Sequence, residues 1–214
     1  MEDIVLIGAG GHAKSVIEAV VSGNNFRIYG LIDANLKPGE KVCGLEVIGD
    51  DSCIDKAITR GIKSFFIAVG SIGKPDLRVR LFEMLKQRGV ELPNIIHPSA
   101  VVSRFSVLGK GNFVGAKAVI NAGAVTGNNC IINTSSVIEH DCELSDFVHL
   151  ACGAVLSGGV RIGARTHIGA GSCVSNSLEI GSNTIIGSGS VVTENIPGGC
   201  IAFGNPCKLV RKNE

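Results

Sequence analysis

Residues 131–156 read Ile-Ile-Asn-Thr-Ser-Ser-Val-Ile-Glu-His-Asp-Cys-Glu-Leu-Ser-Asp-Phe-Val-His-Leu-Ala-Cys-Gly-Ala-Val-Leu. Ile132, Ile138, Leu144, Leu150 and Leu156 stand six residues apart. The same phase runs backward through Thr126, Ile120, Val114, Leu108 and Val102. It runs forward through Ile162, Ile168, Val174, Ile180, Ile186 and Val192. Fifteen of these sixteen positions are aliphatic, and Thr126 is the exception. A second column stands four residues after each, from Ser106 to Ser190, and is small or aliphatic except at Asn112. Glycine often follows the aliphatic residue directly, as at Gly109, Gly115, Gly127, Gly163, Gly169, Gly181 and Gly187.

A period of six is neither the 3.6 of a helix nor the 2 of a flat strand. It suits a short strand and a tight corner, repeated so that one aliphatic side chain per face points to an axis. Such repeats predict a parallel β-helix. Three faces make one turn in eighteen residues, so the run spans about five coils, each ~4.8 Å above the last. A β-sandwich would instead show turn signals every 8–12 residues and no fixed phase.

The rest of the chain agrees with a core of small and branched side chains. Hydrophobic residues are 45% of the 214, aromatics are 4%, and there is no Trp. A net charge of +1 argues against a nucleic-acid or membrane-surface partner. No apolar run reaches the ~18 residues of a bilayer span. Met1-Glu2-Asp3 is acidic and no signal peptide is evident, so a cytoplasmic location is expected. Eight cysteines without a C-x-x-C pair are then reduced thiols, most of them packing residues.

Ahead of the repeats lies a different pattern. Residues 3–8 read as a buried strand, Gly8-Ala-Gly10-Gly11-His12-Ala13 as a glycine turn, and the residues to Gly23 as a helix. Phe26 to Asp33 is a second strand, completing a βαβ unit. A short helix is expected over Asp50–Arg60, a strand over Ser64–Gly70, and a helix over Pro75–Arg88 with Leu77, Leu81, Met84 and Leu85 on its stripe. The expected division is residues 1–95, a small Rossmann-like α/β domain, and 96–214, an all-β parallel β-helix with an irregular extended tail after Pro197.

Several side chains stand out chemically. Gly8-x-Gly10-x-x-Ala13, with Asp33 twenty residues on, matches the glycine fingerprint for binding a diphosphate at a helix N-terminus. A nucleotide diphosphate, a purely geometric turn and NAD all fit that spacing; His12 and the short domain count against NAD. Asp33 is placed to accept from a ribose hydroxyl or a base. His140 lies two residues past the inward Ile138, outside the core and beside Asp141, a natural general base with an orienting carboxylate. His149 and His167 are eighteen residues apart and should stack in neighbouring coils. Ile131 and Ile185 occupy the coils on either side, so no third metal ligand follows and no metal site is expected. His149 reads as lining a ligand groove, His167 as a surface residue, and Cys152 shares the phase of His140.

Three motifs carry a resemblance over the whole chain: Gly10-Gly11-His12 at the start, the run ending Glu139-His140-Asp141-Cys142, and Phe203-Gly204-Asn205-Pro206-Cys207-Lys208 near the end. Together the chain resembles the hexapeptide-repeat bacterial nucleotide-sugar acetyltransferases, which N-acetylate UDP-4-amino-sugars or O-acetylate sialic acids. The resemblance implies a left-handed β-helix, a homotrimer, acetyl-CoA in clefts between helices, and a nucleotide sugar held by the N-terminal domain. It implies His140 as general base with Asp141 orienting it. Gly10, Gly11, His12, Asp33 and Ala34 would hold the nucleotide, and His149 with the backbone at Ala170 and Ser188 would hold acetyl-CoA. The family often has Glu after the histidine, where this chain has Asp141, one methylene shorter. The expected activity is acetyl transfer from acetyl-CoA to the amine of a UDP- or GDP-linked amino-sugar for cell-surface glycans. Sugar O-acetylation and a non-catalytic nucleotide-binding trimer remain as alternatives.

Overall fold

A computed structural model describes residues 1–213 and divides them into two compact units. The first holds Met1–Gly70 and Asp76–Pro98; the second holds Ser71–Pro75 and the residues from Ser99 on.

In the first unit β1 (Glu2–Ile7), α1 (Gly11–Gly23), β2 (Phe26–Ile32), β3 (Lys41–Val42), β4 (Leu45–Gly49), α2 (Cys53–Thr59), β5 (Ser64–Ile67) and α3 (Asp76–Gln87) follow in order. The sheet order is β3-β4-β2-β1-β5, parallel except for the β3–β4 hairpin. Ile4, Val5, Leu6 and Ile7 are all buried, as are Phe65, Phe66 and Ile67. Consecutive buried residues on one strand mean both faces are covered, which is why these strands read as unbroken apolar runs.

Two local readings change. The stripe of α3 is Arg78, Leu81, Phe82 and Leu85, an i, i+3, i+4, i+7 set, while Leu77 is exposed. An arginine hid the true phase, because a charged residue is not counted as apolar. The β3–β4 hairpin was not read at all. Its turn is Cys43-Gly44, both at positive φ (50° and 79°), a conformation that asparagine or aspartate before glycine normally announces.

The second unit is a left-handed parallel β-helix. Sixteen two-residue strands run from Val101–Val102 to Val191–Val192, each pairing in register with the strands eighteen residues before and after. They form three walls: a first through Val101, Val119, Val137, Val155, Cys173 and Val191, a second through Val107 to Glu179, and a third through Phe113 to Ile185. The aliphatic column is the inward one and is almost wholly buried from Val114 to Val192. Every sixth residue from Gly111 to Gly189 is a corner in the left-handed region, with φ between 53° and 77°. Six are glycine, and Asn129, Asp141 and Asn183 tolerate that region, but Lys117, Phe147 and Arg165 dilute the signal in sequence.

The second column does more than fill space. Cys142 Sγ lies 3.1 Å from Ser157 O, Thr166 Oγ1 2.8 Å from Gly181 O and Ser172 Oγ 2.9 Å from Gly187 O, so each donates to a carbonyl fifteen residues on. Burial pushes the Cys142 thiol above its ordinary range, which keeps its proton on and its donor role intact. The tail is not irregular. Cys200–Gly204 continues the third wall beside Ile185–Ile186 and then pairs antiparallel with Cys207–Lys212. The Asn205–Pro206 turn makes this hairpin, which a six-residue count could not see.

Candidate active site

One candidate site is a cleft of about 430 Å³ in the first unit. It opens at the C-terminal ends of β1, β2 and β5, where the chain leaves β1 for β2 on one side and β5 lies on the other. Open α/β sheets bind ligands at such a switch point. Gly10, Gly11, His12, Asp33 and Ala34 all line it. Gly8 has φ 107°, and a Cβ there would come within 2.8 Å of Val69 Cγ2, so only glycine fits this turn. Gly10 and Gly11 face open space, with nothing within 4 Å of an added Cβ. Gly10 caps α1 without a side-chain hydrogen bond, which leaves the first N–H groups of a thirteen-residue helix for an anion.

Asp33 also braces the cleft. Its Oδ2 accepts from Ala9 N at 2.8 Å and its Oδ1 from Asn35 N at 2.8 Å. The carboxylate therefore ties the glycine turn to the end of β2, with one lone pair left on each oxygen. Asn35, Asp51 and Arg80 also line the cleft and were not singled out in sequence. No motif marks them; they arrive through the topology, Asp51 after β4 and Arg80 from α3.

A separate candidate site is at a corner of the β-helix. His140 and Asp141 lie between the first-wall strand Val137–Ile138 and the second-wall strand Glu143–Leu144, and both are exposed. His140 Nδ1 is 2.9 Å from Asp141 Oδ2. An ionised carboxylate only accepts, so Nδ1 carries the proton and the Nε2 lone pair is left to act as a base. The hydrogen bond to Asp141 raises the imidazole pKa above its ordinary value, with the charges of Asp141 and Glu139 adding to it. Glycines bed the pair. A Cβ on Gly158 would come within 2.6 Å of the His140 ring, and one on Gly123 within 2.3 Å of Asp141 Oδ1.

His149 lies on the third wall, away from that corner along the chain. It is buried, its Nδ1 is bonded to Ser71 O, and its ring meets His167 edge-on at 4.7 Å. His167 is itself buried, a correction to the surface reading, because Ser71–Pro75 belongs to this unit and packs on the third wall. Burial lowers the His167 pKa, so it stays neutral. Ala170 and Ser188 are exposed and stack on the corner between the third and first walls, joined by Gly189 N donating to Ala170 O at 2.8 Å. One chain thus places His140 and the Ala170–Ser188 corner on different edges of the prism.

Comparison with known proteins bears on both units. Residues 3–85 match the family model of the PglD N-terminal domain. The structure is similar to a perosamine N-acetyltransferase from Caulobacter crescentus, crystallised with CoA and GDP-perosamine, at 38% identity over 98% of this chain and 97% of that one (TM-score 0.92). It is also similar to the acetyltransferase domain of PglB from Neisseria gonorrhoeae FA1090, at 34% identity over 98% and 100% of the two chains (TM-score 0.90). A UDP-N-acetylbacillosamine N-acetyltransferase from Bacillus subtilis (strain 168) is 34% identical over 54% of this chain and 52% of its own length. The chain spans about half the length, or less, of the curated relatives it matches. With a glycine-lined switch-point cleft, a prism of hexapeptide coils and likeness to solved enzymes along nearly its full length, this chain belongs to the nucleotide-sugar acetyltransferases.

Proposed function

We propose that the protein transfers an acetyl group from acetyl-CoA to the 4-amino group of a UDP- or GDP-linked amino-deoxysugar. The observation that carries this is the His140–Asp141 pair, exposed at a corner with its Nδ1 proton committed to a carboxylate 2.9 Å away. The amine nitrogen attacks the thioester carbonyl. His140 Nε2 takes the ammonium proton as the N–C bond forms, and the tetrahedral intermediate collapses with cleavage of the C–S bond. The imidazolium then returns its proton to the departing CoA thiolate. Asp141 holds the tautomer and stabilises the transient positive charge. The cleft around Gly10, Gly11, His12, Asp33 and Ala34 holds the nucleotide, its diphosphate on the N-terminus of α1. Relatives crystallised with CoA, acetyl-CoA and GDP-perosamine support both substrates.

The assembly in this reading is a homotrimer. The outward residues of the first wall are Val101, Val119, Val137, Val155, Cys173 and Val191, all apolar and none fully buried. The second wall carries Val107 and Val125 in the same positions and then the charged Glu143, Arg161 and Glu179. An apolar stripe along one wall is covered by a second copy of the same prism. The Ala170–Ser188 corner of one copy and His140 of another then complete one acetyl-CoA cleft, with His149 contributing from the third wall. Among the described residues no helix is long and apolar enough to cross a membrane. Eight cysteines with no disulfide among the described residues accord with a cytoplasmic setting.

The test is CoA release from acetyl-CoA with UDP-4-amino-sugars, GDP-4-amino-sugars and free sialic acid. His140→Ala should lower kcat on the accepted amine by roughly 10²–10⁴-fold with its sedimentation unchanged. Turnover near that of the unaltered protein rejects His140 as the base. Release only with sialic acid rejects the amine as acceptor.

A further inference from the structure

Arg78 is the largest of the fully buried side chains, on the inner face of α3, and it does not line the nucleotide cleft. A buried guanidinium is costly unless its donors are satisfied. Its Nη1 donates to Ile67 O at 3.0 Å and also to Val69 O. Ile67 ends β5, and Val69 and Gly70 line the cleft. These two residues are also what the diphosphate turn rests on. A Cβ on Gly8 would come within 2.8 Å of Val69 Cγ2, and one on Gly70 within 3.2 Å of His12 Cβ. A line of contacts thus runs from Arg78 through the Val69–Gly70 edge to Gly8 and His12.

We propose that Arg78 is a positioning residue for nucleotide binding: its Nη1, held in the guanidinium plane and bonded to Ile67 O and Val69 O, fixes the Val69–Gly70 edge against the glycine turn. The inference rests on the nucleotide reading of the cleft. The planar geometry matters more than the charge. Lysine would keep the charge but cannot hold two carbonyls in the fixed geometry of a guanidinium. The edge would then be free to shift, and the turn packed on it would lose its register. The acetyl-CoA side, built on the β-helix, would not feel the change.

The experiment measures binding of GDP, UDP and CoA by calorimetry to the unaltered full-length protein and to Arg78→Lys. The tighter-bound nucleoside diphosphate should lose at least about tenfold in affinity in Arg78→Lys, with CoA affinity unchanged. Equal diphosphate affinity in the two proteins overturns the inference alone. Proportional loss of diphosphate and CoA binding, with loss of circular dichroism, shows a general fold defect and also overturns it. Failure of the unaltered protein to bind either diphosphate overturns the nucleotide reading itself. Hydrogen exchange on the unaltered protein gives an answer even where Arg78→Lys does not fold. The tighter diphosphate should protect the amides of Val69 and Gly70 together with those of Gly10 to His12. Unchanged exchange at Val69 and Gly70 overturns the inference.

Discussion

The imidazole of His140 lies on Gly158, eighteen residues further along and directly above it in the next coil, so that a Cβ at 158 would stand 2.6 Å from both Nε2 and Cε1. The glycine is therefore part of the base's seat. Gly158→Ala should push the ring aside and lower kcat by about 10²-fold, the scale of a ~1 Å misplacement. Affinity for the nucleotide diphosphate should be unchanged, since the cleft of the first unit is untouched. Steady-state kinetics beside calorimetry check this; an unaltered kcat would mean the ring is not held there during turnover.

Asp141 sets the pH at which the base works. A general base acts in its neutral form, and Asp141 raises the His140 pKa, chiefly by its hydrogen bond. In the unaltered protein the acid limb of the kcat/KM profile should therefore lie above the ordinary imidazole value. Removing the carboxylate lowers that pKa, so Asp141→Asn should move the limb to lower pH while reducing the plateau, because an amide does not stabilise imidazolium. Asn is the right replacement because residue 141 has φ 60°, and Asn accepts that conformation. A limb that stays in place would show that another group titrates.

Thr126 and Asn112 are the sole misfits of the two sequence columns, and they are partners. Asn112 Nδ2 donates to Thr126 Oγ1 at 3.3 Å and to Gly127 O at 3.0 Å, while its Oδ1 accepts from Cys130 N at 2.7 Å. Both side chains are buried. Removing one partner leaves buried groups unsatisfied, so Asn112→Ala should cost about 1–3 kcal/mol. Thr126→Val alone should cost less, and the double variant should fall short of the sum. Denaturant unfolding at fixed protein concentration measures all three; strict additivity would break the pairing.

That pair also marks what a single sequence can tell. The inward column, the eighteen-residue turn and the outward place of His140 follow from a strict period, because one slipped residue would turn aliphatics to solvent. Side chains whose roles depend on a partner a coil away were not legible. Gly158 against the His140 ring and the thiol of Cys142 on Ser157 O are set by stacking, and nothing local distinguishes them from their neighbours. In the first unit the glycine fingerprint was readable because a turn of given geometry needs glycine at given spacings. Asp51 and Arg80 come to the cleft from the loop after β4 and from α3, and Arg78 reaches only the backbone behind it, through chain topology that no short motif encodes.

Gly8 and Gly10 share a fingerprint but serve different needs, and substitution should separate them. At Gly8 a side chain meets Val69 and Ala68 within 2.9 Å, and φ is 107°, so Gly8→Ala disturbs the protein whether or not ligand is present. The expected result is a lower melting temperature in the free protein, by a few degrees, for a cost of about 1–3 kcal/mol. At Gly10 the space beyond Cα is empty and φ is −79°, a value any residue adopts. Gly10→Ala should leave the melting temperature of the free protein unchanged and still weaken nucleoside diphosphate binding by about tenfold or more, because the added methyl occupies the approach that the phosphates need. Thermal melts with and without GDP or UDP read both effects. Full ligand-induced stabilisation of Gly10→Ala would mean the diphosphate does not come down on this turn.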